Sequence, residues 1–387
     1  MTANPIFAGL GTTIFEVMSR LAADHQAINL GQGFPEGLEP PFLLEAAVAA
    51  MAAGPHQYPS MMGVPSLRQA VAAHDRRFYG LDLDWQSEVM VTSGATEALA
   101  ACLFGLISPG DEVVVLEPVY DSYLPIIRRA GGIARPVRLD PPDWSLPREK
   151  LAAAFSDKTR LMILNSPMNP TGKVFDEDEL SFIAALLLRH EAVAICDEVY
   201  EHLVYGGKRH RPLISLPGLR ERCLRIGSAG KSFSVTGWKV GYVVAAPALL
   251  KPVARAHQFL TFTTPPELQE AVAIGLASGD DYYRGLTADL TRRRDFLAKA
   301  LQEAGFPVLP CDGSYFLTAD IRPLGFHDDD AFCRMLTTTV GVAAIPVSAF
   351  FEEDKLHHLA RFCFAKRDEA LEEAARRLHR AFVGGRA

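Results

Sequence analysis

The stretch Arg160–Tyr200 reads RLMILNSPMNPTGKVFDEDELSFIAALLLRHEAVAICDEVY. Two strand-length apolar runs, RLMIL from Arg160 and AVAIC from Ala192, flank a longer helical pattern. Each run is nearly continuous in apolar residues, as expected of a strand covered by helices on both faces. That order predicts a βαβ unit and hence an α/β fold with a mostly parallel sheet. The alternation extends outward from Pro41 to about Ala256. Further strand candidates are EVMVT from Glu88, EVVVL from Glu112, LRIGS from Leu224 and KVGYVVA from Lys239. Helical segments interleave with them, such as PSLRQAVAAHDRRFY, which opens on Pro65 and stops before Gly80. From about Pro265 the texture changes to long helical patterns, including DYYRGLTADLTRRRDFLAKALQEAG, and then to short strands near SYFLTADI and LARFCFA. This part reads as a smaller α+β domain. The segment NLGQGFPEGLEPP reads as a loop.

The 387 residues suit two or three domain-sized units. Lys and Arg number 39 against 46 Asp and Glu, a net charge of −7 without a concentrated basic stripe, which argues against nucleic-acid binding. The six cysteines are scattered singly and form no C-x-x-C pair, so neither a metal centre nor a disulfide framework is expected. The start MTANPIFAGLGTTIFEVMSR lacks a basic region followed by an apolar one, and no apolar run reaches the roughly 18 residues of a membrane span. A cytoplasmic protein is the resulting expectation.

In open parallel sheets, ligands gather at the carboxyl ends of the strands, so polar residues directly after an apolar run are the first candidates. SGATEAL places Gly94, Ala95 and Thr96 at a helix amino terminus, where free N–H groups and the helix dipole favour an anion such as phosphate. The plain alternative is a helix capped by Ser93 or Thr92. Lys231 follows Ser228, Ala229 and Gly230; burial there would lower its pKa and make its amine a nucleophile toward an aldehyde. Taken alone, a lysine is more often a solvated surface group. Asp197 ends a buried strand run and needs a cationic partner, either a protonated pyridine nitrogen or an arginine. Arg361 sits in LARFCFA with apolar neighbours on both faces, and requires either a substrate carboxylate or a structural acid. The loop GQGFPEG looks like a dinucleotide glycine loop, but its third glycine is one place late and Pro35 interrupts the helix start.

Together these segments resemble the class I aminotransferases, and the resemblance runs through nearly the whole chain in the family's order. Its motifs are NSPMNPTG, DEVYEHLVY, SAGKSFSVTGWKVGY and ARFCFAKRD. NLGQGFPEG, HQYPSMMGVPSLRQAV and EPVYDSY are similar to the kynurenine and glutamine, methionine and succinyldiaminopimelate branches. The resemblance implies the fold of type I pyridoxal-phosphate enzymes, with a seven-stranded sheet. Residues 1–40 would be an N-terminal arm and part of the small domain, residues 41–284 the large cofactor-binding domain, and residues 285–387 the C-terminal small domain.

It also implies pyridoxal 5′-phosphate as cofactor and a ping-pong exchange between an L-amino acid and a 2-oxo acid. Lys231 would be the Schiff-base lysine and proton shuttle, and Asp197 the partner of the pyridine nitrogen. Asn169 and Tyr200 would bond the phenolic oxygen, and Tyr120 would stack on the ring. Gly94, Ala95, Thr96, Ser228 and Lys239 would surround the phosphate, joined by Tyr58 from the partner subunit of a homodimer. Arg361 would clamp the substrate carboxylate beside Asn169 and Gly33. Two positions depart from common family patterns: Lys239 stands where many members have arginine, and Tyr120 where some have phenylalanine.

The sequence offers no obvious second carboxylate-binding arginine, which favours neutral, sulfur-containing or aromatic substrates, with Phe15, Tyr120 and Phe262 as pocket candidates. SYFLTADIRPLGF through VGVAAIPVSAF is similar to the succinyldiaminopimelate branch, so that substrate is an alternative, as is a cysteine-conjugate β-lyase reaction on the same lysine. A cofactor-sensing regulator would need a DNA-binding domain, for which there is neither space nor basic charge before residue 30.

Overall fold

Alternate residues of the apolar runs bury against opposite helical layers. Val114, Leu116, Met162, Leu164, Ala194 and Cys196 enter one core, while Val113, Val115, Leu161, Ile163, Val193 and Ile195 enter the other. This period of two, with both faces covered, is what a helix-sandwiched sheet demands. The computed structural model describes residues 4–384.

The seven strands run in the order Val89–Thr92, Gly241–Ala245, Cys223–Ser228, Val193–Asp197, Thr159–Asn165, Glu112–Glu117 and Ile133–Arg138. Gly241–Ala245 is antiparallel to both of its neighbours, and the remaining pairings are parallel. Thr92, Asn165, Asp197 and Ser228 therefore end their strands at the same edge of the sheet, the edge where the polar motifs begin.

Ile133–Arg138 was not among the strand candidates. It contains Pro136, is largely exposed, and pairs only with Glu112–Glu117 at the sheet margin. An edge strand tolerates proline and lacks the continuous apolar pattern that marks buried strands. The helix expected from Pro65 spans Pro65–Tyr79 and closes on left-handed Gly80. The long C-terminal pattern forms the helix Asp280–Glu303.

A second sheet, antiparallel, has the order Ile345–Pro346, Leu359–Cys363, Phe316–Asp320. It carries a separate core that includes Phe306, Phe332 and Phe362 and also takes in Met18 and Leu30 from the amino-terminal region. Ile28–Asn29 pairs in parallel with Val342–Ala343 in a separate two-stranded sheet, which ties that region to the chain just before Ile345–Pro346. Arg361, at the centre of Leu359–Cys363, thereby faces the large sheet across a cleft. Among the described residues, no helix is long and apolar enough to cross a membrane.

Candidate active site

One cavity of about 440 Å³ opens at the carboxyl edge of the large sheet. It is lined by Gly33, Gly94, Ala95, Thr96, Tyr120, Asn169, Asp197, Tyr200, Ser228, Lys231, Lys239 and Arg361, together with Phe15 and Phe316. Of the residues singled out from sequence, Tyr58 and Phe262 stand apart. They pack on each other edge to face, with ring centroids 5.7 Å apart, and Tyr58 is 83% exposed.

Lys231 lies in the one-turn helix Ala229–Ser232, directly after the strand Cys223–Ser228. Its side chain is partly buried, and Nζ donates to the Tyr315 hydroxyl at 2.9 Å. Burial pushes the amine's pKa down to about 8, with Asp197 opposing the shift. This is no solvated surface lysine. The sign follows directly: as pH rises through about 8, the neutral, nucleophilic form takes over. Condensation of this amine with an added aldehyde should therefore climb through pH 8 and level off, whereas an unperturbed lysine gains reactivity up to about pH 10.4. A rate that keeps rising well beyond about pH 9 would contradict the lowered value.

Asp197 ends the strand Val193–Asp197. Its Oδ2 accepts a hydrogen bond from the Tyr123 hydroxyl, while Oδ1 is buried and unpartnered. Among the described residues no arginine pairs with it, so the arginine alternative is not realised here. Burial raises its pKa even though the Tyr123 hydroxyl and the Val199 N–H act the other way. An acceptor-only oxygen left in this position is costly until an N–H donor arrives. Tyr123 went unnoticed in the sequence, although it lies three residues beyond Tyr120 in EPVYDSY.

The helix Gly94–Leu106 begins on Ser93, which makes no side-chain cap bond. Thr92 Oγ1 turns instead to the Gly94 carbonyl at 3.1 Å. The capping alternative is thus not realised, and the first-turn amides lack a side-chain acceptor. Lys239, in the left-handed region at φ 55°, brings its Nζ against Gly94. Gly241 makes this turn possible, since a Cβ there would sit 2.7 Å from the Gly94 carbonyl carbon and 3.0 Å from the Ala95 nitrogen. Gly241→Ala should cost about 1–3 kcal/mol of stability, as overpacking does. Urea unfolding reads this cost, and an unchanged midpoint would refute it.

Arg361 is 1% exposed. Its Nη1 donates to Asn169 Oδ1 at 2.8 Å and its Nη2 to the Gly31 carbonyl at 2.7 Å, while Nε is buried without a partner. The guanidinium lies 3.9 Å from the Phe316 ring centre and within 5.2 Å of those of Phe15 and Phe350. Among the described residues no acid pairs with it. Burial pushes its pKa down to about 10. Gly33 permits the neighbouring loop to lie this close, since a Cβ there would meet Phe316 Cζ at 2.7 Å. Asn169 is held in turn by its N–H, which donates to Asn165 Oδ1 at 2.8 Å, and Asn165 Nδ2 reaches the Asp197 carbonyl at 2.9 Å.

Behind the site, Arg225 is fully buried in the middle of an apolar strand. It donates to Glu198 at 2.7 Å, to Asp75 at 2.9 Å and to Glu201. Tyr79 and Tyr242 also donate to Glu201, so its two oxygens are occupied. This network grips both ends of the segment that presents Val199 and Tyr200 to the cavity, and breaking such a buried pair is strongly destabilising.

A family model described as aminotransferase class I and II matches residues 25–378. The chain is 46% identical over 378 residues to a probable N-succinyldiaminopimelate aminotransferase of Mycobacterium tuberculosis (strain ATCC 25618 / H37Rv), covering 95% of each. It is 42% identical over 383 residues to the methionine aminotransferase of Escherichia coli (strain K12), covering 98% of this chain and 99% of the other. The solved structure of N-succinyldiaminopimelate aminotransferase from Mycobacterium tuberculosis superposes with a TM-score of 0.95 at 45% identity, covering 97% of this chain and 99% of that one.

Proposed function

Because the chain belongs to the class I and II aminotransferases, and is therefore a transaminase, we propose that it transfers the amino group of a neutral, sulfur-containing or aromatic L-amino acid to a 2-oxo acid, using pyridoxal 5′-phosphate held at Lys231. The family uses this cofactor, and the residues fit it. The orphaned Asp197 Oδ1 suits a protonated ring nitrogen, the uncapped Gly94 turn with Lys239 and Ser228 suits a phosphate, and Lys231 suits an aldehyde. When bound, the group supplies an aldehyde that condenses with amines and a pyridinium ring that withdraws electrons from the α-carbon.

The observation that carries this reading is the buried, unpartnered Asp197 oxygen in the same cavity as a lysine of lowered pKa. Asp197 keeps the ring nitrogen protonated. Lys231 Nζ removes the substrate's α-proton, a task suited to an amine titrating near neutrality. Arg361 and Asn169 orient the substrate carboxylate, and Phe15, Tyr120 and Phe316 exclude water around it. Among the described residues, Arg361 is the only arginine lining the cavity, which supports a substrate with one carboxylate at this end.

A donor and acceptor panel with purified, cofactor-loaded protein tests the proposal. Activity with methionine, glutamine or aromatic donors is expected, and activity confined to aspartate would refute the substrate class. N-succinyldiaminopimelate belongs in the panel as a second reading, favoured by the 46% identity over 95% of both chains. Arg361→Lys should lower kcat/KM for every donor by about 10- to 150-fold, because one charge-assisted bond of about 1.5–3 kcal/mol is lost. A change confined to one donor would argue that Arg361 reads side chains instead.

A homodimer accompanies this proposal. Val48 and Met51 on the helix Pro41–Ala53, Ile274 on its packed neighbour Pro266–Leu276, and Tyr58 and Phe259 leave apolar side chains exposed by 54–85%. A size measurement that finds only active monomer would exclude it.

A further inference from the structure

The geometry points to Tyr315 as the residue that positions the Lys231 amine, an inference resting on Lys231 being the reacting group. Tyr315 precedes the strand Phe316–Asp320 and its ring is fully buried. Its place is set through the backbone on both sides. Ser314, at a left-handed φ of 64°, donates its N–H to the Leu203 carbonyl at 2.9 Å and accepts the Tyr205 hydroxyl at 2.6 Å. The Tyr315 carbonyl accepts the Phe364 N–H at 3.1 Å. The ring packs edge to face on Tyr200 at 5.2 Å and on Phe316 at 4.8 Å.

A phenol carries a single proton. The Gly33 carbonyl, 2.7 Å from the hydroxyl, can only accept, so that proton is committed to it. The oxygen lone pairs are then left for Lys231 Nζ at 2.9 Å. Lys231 must donate one N–H to Tyr315 whether it is an ammonium or an amine. In the neutral amine this directs the nitrogen lone pair away from the phenol. That lone pair is what attacks an aldehyde or takes an α-proton. Without the acceptor, the four-carbon stem is free to sample its staggered rotamers. The anchor has a further consequence for substrate binding. Gly31, two residues before Gly33, holds Arg361 Nη2, so the amine and the carboxylate clamp are referenced to one short loop.

Tyr315→Phe keeps the ring and removes the hydroxyl, and with it both the acceptor for Lys231 and the donor to the Gly33 carbonyl. The variant apoprotein should melt only slightly lower, since the Gly33 carbonyl loses its donor, yet condense with pyridoxal about tenfold more slowly, within the ~100-fold that a 1 Å misplacement can cost. The loaded variant should show a kcat that falls by a larger factor than KM for the donor rises. An α-deuterated donor should give a larger isotope effect than on the parent. A merely structural role would lower the melting temperature and leave the isotope effect alone, and that pattern overturns the inference. Parental condensation and isotope effect in the variant overturn it as well. Condensation in the parent that survives Lys231→Ala overturns the functional reading and this inference with it, whereas a Lys231-dependent parent with an unaltered Tyr315→Phe overturns this inference alone.

Discussion

Lys231→Ala is expected to abolish transamination, lowering kcat by at least about a thousandfold, since it removes both the covalent anchor and a proton-transfer group worth about 10²–10⁴ by itself. The fold should survive. Lys231 sits in a single helical turn whose neighbours Ala229, Gly230 and Ser232 are buried, and it makes one side-chain hydrogen bond, to Tyr315. Removing a partly buried amine of lowered pKa relieves a desolvation penalty, so the apoprotein should melt no lower than the parent. Initial rates with the best donor and the absorbance of the loaded protein measure the two halves of this expectation. A variant that still displayed a Schiff-base band at this site would show that another lysine carries the cofactor, and Lys239 would be the first to examine.

Asp197→Asn should separate activity from stability. Loss of the charge that keeps the ring nitrogen protonated removes a preorganised electrostatic contribution, for which about 10²–10³ in kcat is the usual scale. The apoprotein should respond in the opposite direction. Asp197 has a folded pKa above its unfolded value, because burial disfavours the carboxylate more than the Tyr123 and Val199 donors favour it. A group of this kind binds more protons in the folded state, so the parent loses stability as pH rises above the unfolded value of about 3.9. Asparagine lacks that loss. Urea unfolding of the two apoproteins at about pH 4 and pH 7 should show the variant gaining on the parent toward neutrality. A variant that keeps parental kcat, or that falls behind as pH rises, would sink the assignment of Asp197. The opposition between the two readouts is what a strained functional group produces and a structural one does not.

Much of the fold was legible because buried parallel strands write themselves as apolar runs. RLMIL and AVAIC announced adjacent strands, and the polar residues directly after such runs included Asp197 and, after LRIGS, Lys231. Ile133–Arg138 escaped because an exposed edge strand carries no such run. Arg225 escaped for the opposite reason: it sits within a run whose apolar character hid a buried charge, and its acids lie 24, 27 and 150 residues away. Tyr315 looked like part of an ordinary strand in SYFLTADI, since nothing within that segment reveals what a hydroxyl will meet.

By itself the amino-acid order determined which buried segments become strands, where the long helices fall, and that Asp197 and Lys231 follow strand runs, since local periodicity and turn chemistry act over a few residues. Only the tertiary structure decided which groups complete one another. Tyr123 meets Asp197 across 74 positions, Tyr315 meets Lys231 across 84, and Arg361 meets Asn169 across 192. Such pairings arise when strand order and the cleft between the two sheets bring remote side chains within hydrogen-bond reach, and no short-range pattern encodes that proximity.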